Sequence, residues 1–68
     1  MATNFGIMSP SDYKGLTLEK AEEKAKINGF NTRIVEIDGK ALMLTMDFKT
    51  DRINFRVSGG IILEAYTG

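Results

Sequence analysis

Sixty-eight residues make one small domain, near the size at which a single apolar core only just outweighs chain entropy. The sequence holds no Cys and no His, which removes disulfides, zinc sites of the usual ligands and every nucleophile or general base built on those residues, so neither an enzyme nor a cofactor is expected. Nine basic residues scattered among nine acidic ones give a formal net charge of zero and no electrostatic footprint for nucleic acid or an anionic membrane.

No apolar run approaches the length of a transmembrane helix, and Met1-Ala2-Thr3-Asn4 has neither the basic nor the apolar region of a secretory signal. A cytoplasmic protein is the expectation, with secretion of a processed form left open. Residues 1–11 carry Phe5, Ile7 and Met8 without a period and read as a flexible arm, ended by Ser9-Pro10-Ser11. The domain proper is then 12–68.

Thr17 offers its hydroxyl as the N-cap of a helix beginning at Leu18, with Glu19 and Glu22 near the positive end of the dipole. Lys20 stands where a capping box would want Glu, so the reciprocal half of that device is missing. Leu18, Ala21 and Ala25 form a thin apolar stripe, and Asn28-Gly29 supplies a left-handed stop over which Phe30 can fold back. The helix is expected from Leu18 to Asn28.

From Thr32 to Ile37 the residues alternate, with Arg33, Val35 and Ile37 on one side and Thr32, Ile34 and Glu36 on the other. Apolar residues on both sides suit a central strand. Asp38-Gly39 is a turn signal that, taken alone, predicts a hairpin returning through Ala41 to Leu44. The run Leu44 to Arg52 has neither the punctuation of a tight turn nor the period of an element, and it combines bulky apolar groups with Asp47 and Arg52. It reads as an extended, exposed loop. Arg52 to Val57 then alternates, placing Ile53, Phe55 and Val57 toward the core and Arg52, Asn54 and Arg56 on the face that can reach the loop. Ser58-Gly59-Gly60 makes a tight turn into a last antiparallel strand, Ile61 to Ala65, before Tyr66-Thr67-Gly68.

The run Thr45-Met46-Asp47-Phe48, then Asp51-Arg52-Ile53, then Phe55 and Val57 in alternation, with Gly15-Leu16-Thr17 and a Glu/Lys/Ala-rich helix upstream, resembles the potato inhibitor I family of serine-protease inhibitors over residues 12–68. The resemblance implies an α+β fold in which one helix packs on a small mixed sheet with a long exposed binding loop between strands 1 and 2. It also implies that the first strand pairs in parallel with the strand after the loop, and that reading makes Asp38-Gly39 the bend that opens the loop.

What the resemblance implies about function is a loop of Leu44, Thr45, Met46, Asp47, Phe48 and Lys49 that binds a subtilisin- or chymotrypsin-like protease as a substrate would. Met46 would enter the primary pocket, Met46-Asp47 would be the scissile bond, and Thr45 and Phe48 would be its neighbours. Arg52 matches the first supporting arginine, expected to pair with Asp47. Where the family pattern has a second arginine, supporting the threonine side and meeting the terminal carboxylate at Gly68, this sequence has Asn54. Either Arg56 substitutes for it or the loop is softer. On the softer reading, Asn54→Arg would restore a missing brace.

The partner implied is a serine protease, with neither nucleic acid nor membrane, and the chain is expected to be a monomer. A rival reading keeps the fold and the loop but engages a non-protease partner as a regulatory binding module. An enzyme has little to stand on, since Asp47, Lys49, Asp51 and Tyr66 are the only reactive types near the loop.

Overall fold

The computed structural model describes residues 10–44 and 47–68. The arm at 1–9 and the loop residues Thr45 and Met46, which carry two of the sequence expectations, lie outside the described residues. The rest is an α+β domain in which one helix, α1 (Leu18–Ile27), accompanies a mixed sheet. Its strands are β1 (Asn31–Ile37), β2 (Lys40–Ala41), β3 (Arg52–Ser58) and β4 (Ile61–Thr67), in the order β2-β1-β3-β4. No helix among the described residues is long and apolar enough to cross a membrane.

The helix starts and stops where local chemistry dictates. Thr17 is extended at φ −69 and ψ 155, and its hydroxyl oxygen accepts from the Lys20 amide at 3.2 Å. At the other end Gly29, at φ +82, lets its own amide donate to Lys26 O at 3.0 Å while the Phe30 amide reaches back to Ala25 O at 2.8 Å. That double closure satisfies two orphan carbonyls and turns Phe30 onto the core. Ala21 and Ala25 are fully buried, so the helix backbone sits close above the sheet.

The core cluster joins those alanines to Ile53, Phe55, Val57, Ile62 and Tyr13. Phe55 is fully buried, and its ring lies 5.7 Å from that of Tyr13 at a tilt of 43°. Tyr13 ends a 3₁₀ turn, Pro10–Tyr13, which begins in the expected arm at 1–11 and ends in the expected domain at 12–68. The chain after it is tied to β4, with the Gly15 amide donating to Ile62 O at 2.9 Å and the Ile62 amide to Leu16 O at 2.8 Å.

β1 pairs in parallel with β3, as the resemblance implied, and β3 pairs antiparallel with β4. The expected bend at Asp38-Gly39 is instead a closed hairpin. Asp38 at φ +50 and Gly39 at φ +84 form the doubly left-handed turn that matches strand twist, and Lys40 and Ala41 pair back onto Ile37 and Glu36. A short strand therefore stands between β1 and the segment that leads to β3, which is irregular at the described residues 42–44 and 47–51. Both pairings coexist because β1 lends one edge to β2 and the other to β3.

A second correction concerns the phase of β1. Its register against β3 slips between Ile34 and Glu36, leaving Val35 as an extra residue in a bulge. Up to Ile34 the expected alternation holds, but past the bulge Glu36 shares a face with Arg33. The row Asn31, Arg33 and Glu36 thus lies beside Arg52, Asn54 and Arg56 on the sheet face opposite the helix.

Candidate functional site

Arg52 opens β3, directly after the irregular segment, and β pairing places Asn31 beside it and Arg33 beside Asn54. Strand alternation sends Ile53, Phe55 and Val57 into the core, so Arg52 and Asn54 face the other way, toward the loop. Both are nonetheless buried, Asn54 at 1% exposure and Arg52 at 8%. Buried polar groups need partners, and these two find them in the loop and in Gly68.

Arg52 uses each arm of its guanidinium. Its Nε donates to the Gly68 carbonyl oxygen at 2.8 Å, its Nη1 to the Asp47 carboxylate at 3.2 Å and its Nη2 to the Asp47 backbone carbonyl at 3.2 Å. Side chain and main chain of Asp47 are thereby held to one rigid fork. Asn54 completes the base, its amide nitrogen donating to the same Gly68 oxygen at 3.2 Å. The Phe48 ring lies over this point: a Cβ placed on Gly68 would stand 3.5 Å from the ring and 3.4 Å from the Asn54 amide nitrogen. Even so, Phe48 keeps 72% of its surface exposed.

The far end of the segment is fastened separately. The Asn31 amide donates to Asp51 O at 2.8 Å, which closes the chain onto β1 just before β3 begins. Along the segment Asp47, Phe48 and Lys49 are exposed, as are Leu42, Met43 and Leu44 before the first anchor, Met43 completely.

Two expectations about the support are revised. Arg56 does not substitute for a loop brace: its guanidinium meets Glu36 at 3.2 Å and Glu64 at 3.0 Å, in a cross-strand ladder created when the β1 bulge turns Glu36 to that face. The hydrogen bond to Glu36 first, and that to Glu64 next, push its pKa further above the usual arginine value. The residue that does reach the loop is Arg33, which sequence reasoning left without a role. Its Nε donates to Asn54 Oδ1 at 2.9 Å, and its Nη1 lies 3.6 Å from the Asp47 carboxylate oxygen not held by Arg52. Parallel pairing of β1 with β3 was the available signal, because it puts Arg33 next to Asn54 once the register is fixed.

Among the described residues no pocket forms and no group of three or more acidic residues gathers to hold a metal ion. The chemistry on offer is that of an exposed segment held from beneath by buried donors. No protein-family model, curated protein or solved structure matches this chain.

Proposed function

We propose that this chain is a reversible, substrate-like inhibitor of a serine protease of subtilisin or chymotrypsin type, binding through the segment around Met46-Asp47. The observation that carries the reading is the double hold of Arg52 on Asp47, through carboxylate and carbonyl together. The motif resemblance at Thr45-Met46-Asp47-Phe48 supports it from the sequence side. Exposed, apolar Leu42, Met43 and Leu44 suit the approach, since an extended segment can enter a cleft as an added strand.

In this mechanism the protease serine attacks the Met46 carbonyl and the Met46-Asp47 bond breaks, giving an acyl-enzyme and a free amine on Asp47. A loose substrate loses that amine to solvent. Here Asp47 stays pinned to Arg52, which rests on Gly68, so the amine remains beside the acyl group and attacks it, restoring the peptide bond and the free serine. Pre-ordering also lowers the entropy lost on docking. An unbranched apolar Met46 favours a deep hydrophobic pocket over one that selects Lys or Arg.

The test is an inhibition panel of subtilisin, chymotrypsin, elastase and trypsin, with mass spectrometry of the recovered chain. Stoichiometric inhibition of subtilisin or chymotrypsin with slow, single cleavage after Met46 is expected. Rapid digestion without inhibition would shift the reading to a binding module for a non-protease partner, which the same exposed Leu42, Met43 and Phe48 could serve.

A further inference from the structure

We infer that Arg33 is a second positioning residue for the loop, working through Asn54 as one unit, and that this pair sets how long the Met46-Asp47 bond survives an encounter with a protease; the inference rests on the inhibitor reading above. Arg33 and Arg52 come from different strands and approach opposite oxygens of one carboxylate, Oδ1 at 3.6 Å and Oδ2 at 3.2 Å. The terminal torsion of a carboxylate is broad and soft, so a guanidinium on one oxygen constrains it less than one on each. Two of them, fixed on neighbouring strands, leave it a single orientation.

Arg33 is itself oriented before any protease arrives. Its Nε is committed to Asn54 Oδ1, and Asn54 is 1% exposed with its amide nitrogen committed to Gly68 O. That leaves the Nη edge turned to Asp47. The two arms of the clamp end on the same carbonyl oxygen, because Arg52 Nε also donates to Gly68 O. A neutral Asn54 is what this arrangement requires: it accepts from one side and donates to the other, which no cationic side chain can do. A lysine at 33 could face Asp47 as a point charge but has no rigid fork with which to hold Asn54 as well.

The experiment compares the full chain with Arg33→Met, Arg33→Lys and the double variant Arg33→Met/Asn54→Ala. Three readouts are taken: the rate of cleavage at Met46-Asp47 by subtilisin, the equilibrium ratio of cleaved to intact chain, and amide hydrogen exchange at Asp47, Phe48 and Lys49. Arg33→Met should raise the cleavage rate on the order of tenfold and shift the ratio toward cleaved chain. Arg33→Lys should recover part of both, and the double variant should be little worse than Arg33→Met, as expected of a coupled pair. A purely structural role would lower the melting temperature and leave the cleaved-to-intact ratio unmoved. If the parent chain fails to inhibit any protease, exchange still decides the matter: faster exchange at 47–49 in Arg33→Met supports the clamp while the inhibitor reading falls. Unchanged exchange, or unchanged cleavage in a parent that does inhibit, overturns the inference.

Discussion

The Arg33 Nε donates to Asn54 Oδ1 at 2.9 Å across two parallel strands, so that a residue twenty-one positions upstream supplies the cation for a position held by a neutral amide. From sequence alone Asn54 reads as a missing brace. In the fold it is the joint between a brace on β1 and the base at Gly68.

Asn54→Arg should therefore harm the domain. It would place a third guanidinium in a site of 1% exposure already bordered by Arg33 and Arg52, and it would remove the amide oxygen that accepts from Arg33 Nε. Urea denaturation should show a loss of about 2 kcal/mol or more, and protease cleavage should become faster, not slower. A stable variant cleaved more slowly than the parent would restore the earlier expectation.

Phe55→Ala tests the core. Phe55 is fully buried between the helix alanines and Tyr13, and its removal should cost about 3 kcal/mol or more by denaturant unfolding. A loss under about 1 kcal/mol would contradict the observed strand phase.

Tyr13→Phe is expected to be neutral or stabilising by up to about 1 kcal/mol, because the buried Tyr13 hydroxyl has no partner of good hydrogen-bond geometry among the described residues and the nearby Asn28 side chain gives its amide to Lys24 O at 2.8 Å. Its ring contact with Phe55, and the Lys24 ammonium 5.3 Å from the ring centre, survive the change. Burial, and then the Asp12 charge, raise the hydroxyl pKa above 10.0, with Asn28 opposing. The folded state then holds its proton more tightly than the unfolded state. This stability is fully present below the unfolded value near 10 and is lost as pH rises through the folded value, so alkaline scans should show the parent weakening above about pH 10 more than the Phe variant.

These residues show what could be read in advance and what could not. The helix ends and the Ile53, Phe55, Val57 phase were legible because each signal is local: a cap, a glycine at positive φ, a period of two. The Asp38-Gly39 hairpin was equally legible, and preferring the motif resemblance leaves β2 out of the expected sheet. Tyr13 and the Val35 bulge were not legible, and Arg33 is so only once the β1–β3 register is fixed, since each depends on a partner far along the chain. Tyr13 is buried by Phe55, Arg33 is oriented by Asn54, and a one-residue slip in pairing leaves no mark in composition.

Met46→Lys should redirect the inhibitor from subtilisin-like toward trypsin-like enzymes, since the primary pocket reads that side chain above its neighbours. The same four-enzyme panel checks it. An unaltered profile would move the contact residue elsewhere on the segment.

Arg52→Ala is the most informative change at the site. From sequence, Arg52 reads as half of an exposed ion pair, whose loss would hardly affect stability. In the fold its side chain is 9% exposed and donates to Gly68 O, Asp47 Oδ2 and Asp47 O, so its removal takes two donors from Asp47 and one from Gly68 O, which keeps Asn54. The expected cost is about 1–3 kcal/mol in urea denaturation, a measurable loss in a domain of this size. The effect on the loop should be larger in kind, because both holds on Asp47 from Arg52 vanish at once, while the Arg33 contact is the longer one at 3.6 Å. Incubation with subtilisin, following intact chain against time, should show Arg52→Ala cleaved faster than Arg33→Met, and both faster than the parent. If Arg52→Ala loses stability but is cleaved at the parent's rate, the buried fork serves the fold alone and the retained-amine mechanism has no support.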